Sequence, residues 1–94
     1  MVSKKKFTIC HNKGFHMTFN NNWTVSVQFG FGNYCDNYNE PVKDFAKNYG
    51  KNPKESNTAE VWAWKGEKHF PSDPLGYQSP DEVFEFIKKV RRKK

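Results

Sequence analysis

Trp62 and Trp64 stand two residues apart in the run Ala59-Glu60-Val61-Trp62-Ala63-Trp64. If that run is a strand, residues i and i+2 share a face. One face then carries Ala59, Val61 and Ala63, and the other carries Glu60, Trp62 and Trp64. Small residues suit the face beneath a helix. Both indoles would then lie on the far side, beside the loop aromatics Phe31, Tyr34 and Tyr38. Rings on an open sheet face form a stacking platform for a planar ligand or one half of a protein interface. The competing expectation is that both indoles are interior, covered by a helical insert carrying Val42, Phe45 and Tyr49. A chain with few aliphatic residues must draw its core from its aromatics.

The segment after Phe29 sets polar groups among rings: Asn33, Asp36, Asn37 and Asn39 beside Tyr34 and Tyr38. Such side chains read base or sugar edges, and equally cap turns. Gly30-Phe31-Gly32 has a superficial likeness to a phosphate loop. It lacks the third glycine, the Lys-Ser/Thr pair and the following helix, so a bend or bulge is the commoner use. Lys13-Gly14-Phe15 shares three residues with an RNA-recognition element and then departs, which leaves a hairpin turn. Cys10, His11, His16, Cys35 and His69 are the candidate metal ligands. They match no standard pair spacing, and adjacent Cys10 and His11 point to opposite faces of a strand. Cys35-Asp36 has no histidine fixed near it in sequence. No metal, cofactor or catalytic residue is expected, and the chain reads as non-enzymatic.

Several elements must position these groups. Residues 7–11 and 15–19 alternate and read as strands joined by a turn at Asn12-Lys13-Gly14. Asn20, Asn21 and Asn22 form a second turn. Trp23-Thr24-Val25-Ser26-Val27-Gln28-Phe29 is the clearest strand, with Trp23, Val25, Val27 and Phe29 on one face. Val42, Phe45, Ala46 and Tyr49 share a helical face, which predicts a short helical insert between the third and fourth strands. Residues 58–64 are the fourth strand. Lys65-Gly66 turns it into a short fifth strand at 68–70, and Pro71 and Pro74 are expected to break the chain. Ser79-Pro80-Asp81-Glu82 is a strong helix start, with Ser79 as cap, Pro80 at the first position and Glu82 completing a capping box. The helix runs from residue 80 to about 91 with Val83, Phe86, Ile87 and Val90 as its apolar stripe.

A chain of 94 residues makes one domain. Aromatics reach 17%, more than a disordered chain carries. No apolar run approaches the ~18 residues of a membrane span, and no apolar stretch follows Lys4, Lys5 and Lys6 to make an export signal. Two cysteines are too few for a disulfide framework, so reduced thiols in a cytoplasm are expected. The net charge of +6 is unevenly placed. Nine of the sixteen cations sit at the two ends, as Lys4–Lys6 and Lys88, Lys89, Arg91, Arg92, Lys93 and Lys94. All ten acids fall between Phe7 and Ile87 beside seven lysines, a local net charge of −3. Basic tails at 1–6 and 91–94 hold phosphate non-specifically or simply keep the protein soluble.

Gly14-Phe15-His16-Met17-Thr18-Phe19, the strand from Trp23 to Gly30 and Asn33-Tyr34-Cys35-Asp36-Asn37 resemble a group of small proteins encoded by tailed phages and prophages. Thr58-Ala59-Glu60-Val61 and Gly76-Tyr77-Gln78-Ser79-Pro80-Asp81-Glu82-Val83 extend the likeness over most of the chain. The resemblance implies a phage origin and expression in a bacterial host, and transfers no site residues. Small accessory phage proteins often neutralise host defence by stoichiometric binding, a prior at the level of the class.

These readings combine into one expectation. The fold is α+β: an antiparallel meander of four to five strands, a C-terminal helix on one face and the short helical insert. The function is sequestration of a nucleotide-type host immune signal. Trp62, Trp64, Tyr34 and Tyr38 line the pocket, Asn33, Asp36 and Asn37 supply polar contacts, and Arg91 or Arg92 meets phosphate, from an end or from a second subunit of a homo-oligomer. The alternatives are inhibition of a host defence protein through the aromatic face and non-specific nucleic-acid binding through the basic ends. No membrane partner is expected.

Overall fold

A computed structural model describes residues 5–9, 13–30, 33–36 and 56–94. The expected helical insert at 42–49 lies outside the described residues, as do Phe31, Asn37, Tyr38 and Asn39.

Five strands form one antiparallel sheet in the order β1-β2-β3-β4-β5. They are β1 (Lys6–Ile9), β2 (Gly14–Thr18), β3 (Thr24–Gln28), β4 (Ala59–Lys65) and β5 (Lys68–Gln78). One helix follows, α1 (Pro80–Arg91). The α+β class and the meander are as the alternation of residues predicts. At the β2–β3 turn, Asn22 takes a left-handed φ of 70° and the Phe19 amide donates to the Trp23 carbonyl at 2.9 Å. A three-residue hairpin loop needs such a residue at its end, and asparagine tolerates it. Gly66 has φ +61° at the first of two central positions of the β4–β5 turn, where a hairpin of this length favours glycine.

The core sits between α1 and one face of the sheet. Val25, Val27, Ala59, Val61 and Ala63 are buried there with Phe86 and Val90, and Trp23 closes one end. Alternation explains the arrangement: every second residue of β3 and β4 points at the helix. The capping box forms as its spacing predicts. The Glu82 amide donates to Ser79 Oγ at 3.2 Å, and the Ser79 amide to Glu82 Oε1 at 2.8 Å.

β5 departs from expectation. It runs through Pro71 and Pro74 to Gln78, eleven residues in all, where the prolines were expected to end it. Ala63 pairs with Phe70 and Val61 with Leu75, so the register shifts between them and the prolines fall inside the bulge. β5 is also an edge strand. Proline costs a ladder hydrogen bond only where a neighbour needs its missing N–H, so edges and bulges accept it.

The C-terminal end is held against the fold. Asn21 Nδ2 donates to the carbonyls of Val90 at 3.0 Å, Arg91 at 3.2 Å and Lys93 at 2.9 Å. Its Oδ1 accepts from the Trp23 amide at 3.0 Å. The Lys93 ammonium lies 3.9 Å from the centre of the Phe70 ring, a cation–π contact.

Phe86 is 5% exposed under the sheet, whereas Phe84 is 61% exposed on the same helix. Urea unfolding of Phe86→Ala is expected to show a loss of about 3–5 kcal/mol. Phe84→Ala is expected to change stability by less than about 1 kcal/mol.

Candidate functional site

The sheet face away from α1 carries the side chains that alternate with the core. Register assembles them. Ser26 of β3 stands opposite Trp62, Thr24 opposite Trp64 and Gln28 opposite Glu60. His16 of β2 stands opposite Ser26 on the other side, and His69 of β5 opposite Trp64. Trp62 and Trp64 are half-buried on this face, while Ala59, Val61 and Ala63 lie buried beneath the helix. The alanines thus face α1 and the indoles face away from it, as the alternation of β4 predicts. The residues of the opposing expectation, Val42, Phe45 and Tyr49, lie outside the described residues.

The rings contact one another. Trp62 stacks on His69 with centroids 4.5 Å apart and planes at 7°. Trp62 and Trp64 meet edge to face at 6.2 Å, and His16 meets Trp64 edge-on at 5.1 Å and 88°. Such geometries follow from the negative faces and positive edges of aromatic rings. The indole Nε1 of Trp62 donates to the Pro71 carbonyl at 2.7 Å, so the bulge in β5 fixes the orientation of that ring. A groove of about 330 Å³ opens beside the rings, lined by His16, Ser26, Gln28, Glu60, Trp62, Trp64 and Pro74. Its polar groups are an imidazole, a hydroxyl, a carboxamide and a carboxylate. No lysine or arginine among the described residues lines it.

Asn33 anchors the end of the groove. It is buried, and its Nδ2 donates to Gln28 Oε1 and Glu60 Oε1, both at 3.2 Å. Gln28 in turn donates to Ser26 Oγ at 3.0 Å. Asn33 Oδ1 is buried with no hydrogen-bond partner among the described residues, an uncommon condition for a polar atom. Tyr34 is half-exposed, and its carbonyl accepts from the Tyr77 amide at 2.8 Å. A Cβ on Gly76 would come within 2.5 Å of Tyr34 Cβ, so glycine is required for the loop to lie this close to β5. The Asp36 carboxylate accepts from Thr58 Oγ1 at 3.0 Å, and the Asp36 amide donates back to it at 3.0 Å.

The predicted site residues are thus partly gathered. Trp62 and Trp64 line the groove, and Asn33 supports it through Gln28 and Glu60. Asp36 is committed to Thr58 as a loop clamp and does not line the groove. Tyr38 and Asn37 lie outside the described residues. Arg91 and Arg92 line a different concavity, on the helix side. Within one chain they do not reach the tryptophans. His16, Glu60, His69 and Pro74 were not among the residues predicted to bind the ligand. Strand register would have found His16 and Glu60, since they share a face with Ser26 and Trp62.

Of the thiols and imidazoles weighed for chemistry, Cys35 is buried, its Sγ 3.8 Å from the Gly30 carbonyl. His16 and His69 belong to the ring cluster. Among the described residues no three His, Cys, Asp or Glu side chains cluster as metal ligands, and no helix is long and apolar enough to cross a membrane. Comparison with protein-family models, curated proteins and solved structures finds no match for this chain.

Asn33→Asp sets a buried carboxylate against that of Glu60. Burial and the like charge both push the new group above the ordinary carboxylate range. The variant is expected to be less stable than the parent by about 3 kcal/mol at neutral pH. A group whose folded-state pKa is raised destabilises the fold only while it is ionised. The deficit therefore shrinks as pH falls through that raised pKa toward about 4. Parallel urea titrations of parent and variant across this window measure it.

Proposed function

We propose that this chain is a non-enzymatic binding protein whose sheet face away from α1 takes the planar ring of a nucleotide-type ligand. On the resemblance to small phage proteins, the ligand is a host immune signal and the effect of binding is its sequestration in the bacterial cytoplasm. The single observation behind the reading is the pair of half-buried indoles, Trp62 and Trp64, bordering a groove of about 330 Å³. The ring stacks on indole, while Ser26, Gln28 and Glu60 meet its polar edge. A carboxylate and a carboxamide side by side offer acceptors and a donor, which suits the mixed edge of a base. No bond is made or broken.

Phosphate needs cations, and among the described residues neither lysine nor arginine lines the groove. Arg91 and Arg92 lie on the helix side of the sheet, so in this reading the phosphates of the ligand face a second copy of the chain. The same lack of cations favours a second reading, in which the rings anchor a host defence protein. Tryptophan is prominent among the residues that dominate such interfaces.

Protein purified from bacteria producing defence nucleotides is expected to release a small molecule on heating, identified by mass spectrometry. Trp62→Ala and Trp64→Ala are expected to release none, and to bind the recovered molecule more weakly by about 1–3 kcal/mol for each stack lost. Trp64→Phe retains a ring and most of the affinity. An empty preparation that co-elutes with a host protein decides for the second reading.

A further inference from the structure

A second concavity, of about 620 Å³, lies on the helix side, bordered by β1, β2, the β2–β3 turn and the end of α1. The two basic regions of the chain converge there. Lys5 and Lys6 come from the entry to β1, and Arg91 and Arg92 from the end of α1. No acidic residue among those described lines it. Its apolar surface comes from Phe7, Met17 and Phe19.

Two features separate this groove from a pair of solvated tails. The first is order. Asn21 ties the backbone carbonyls of Val90, Arg91 and Lys93 to the β2–β3 turn, so Arg91 and Arg92 leave from a fixed stretch of backbone. The second is Phe7. It is 75% exposed on a strand, although its partner across the ladder, Met17, packs on the core. The fold leaves Phe7 largely exposed, and a large exposed ring among cations has the composition of a nucleic-acid groove.

We propose that this groove binds single-stranded nucleic acid, with Lys5, Lys6, Arg91 and Arg92 on the phosphates and Phe7 stacked against a base. A duplex keeps its bases paired and offers Phe7 no free ring face. A lipid surface is flat, and a concavity holding both its rings and its cations matches a strand better.

The test is fluorescence anisotropy with a labelled oligothymidylate of about 16 nucleotides and a duplex of equal length. The single strand is expected to bind tighter. Its log K should fall with log salt at a slope of about −2.8 for four phosphate contacts. Replacing both Arg91 and Arg92 by Gln should reduce that slope by about 1.4. Phe7→Ala should weaken binding about ten-fold and leave the slope unchanged. All three side chains are exposed, so the core is untouched, which a thermal melt followed by circular dichroism checks. Trp62→Ala should leave oligonucleotide binding intact, so this site and the ring-ligand site fail separately. The proposal is overturned if Phe7→Ala binds as the parent does, if duplex binds as tightly as single strand, or if Trp62→Ala abolishes binding. It is equally overturned if the protein ignores the oligonucleotide and sediments with phosphatidylserine–phosphatidylcholine vesicles.

Discussion

Burial of Phe86 and Val90 against the small residues of β3 and β4 makes the two faces of this sheet unlike each other. Val25, Val27, Val61, Ala59 and Ala63 are the contact surface for the helix, and a closely packed interface needs that side to be smooth and apolar. Because side chains alternate along a strand, the same choice sends Ser26, Gln28, Glu60, Trp62 and Trp64 the other way. The bulky rings are excluded from the helix contact by size, and the groove on the far side is a consequence of that exclusion. A one-residue slip of β4 would exchange the faces and bring both indoles under the helix. Packing of α1 and placement of the rings are therefore one constraint.

The irregular parts of the chain act on this regular frame. The bulge of β5 lets an edge strand carry two prolines and delivers the Pro71 carbonyl to the Trp62 indole. The close pass at Gly76 and the Asp36–Thr58 pair hold residues 33–36 against the sheet. Asn33 then reaches Gln28 and Glu60 on neighbouring strands. Each contact is modest, about 1 kcal/mol for an ordinary hydrogen bond. Together they place a buried carboxamide at the end of the groove.

Much of the frame was legible in the sequence because it follows from local periodicity. The alternation in β3 and β4, the asparagine turn and the capping box at Ser79 each depend on residues close in the chain. So did the assignment of alanines to the helix side and tryptophans to the other. The extension of β5 was not legible, because a proline reads as a break until the strand is known to be an edge with a bulge. The role of Asp36 was hidden as well, since its partner Thr58 stands twenty-two positions away. Convergence of Lys5 and Lys6 with Arg91 and Arg92 escaped for the same reason. Charge composition located the cations at the ends, but only the fastening of the end of α1 to the β2–β3 turn brings two ends to one rim.

Strand β2 serves both concavities with neighbouring side chains. His16 borders the ring-lined groove, and Met17, the next residue, borders the cationic one. No lining residue among those described is common to the two. Yet a single extended backbone passes between them. The alternation of that one strand is all that partitions the imidazole of one wall from the thioether of the other.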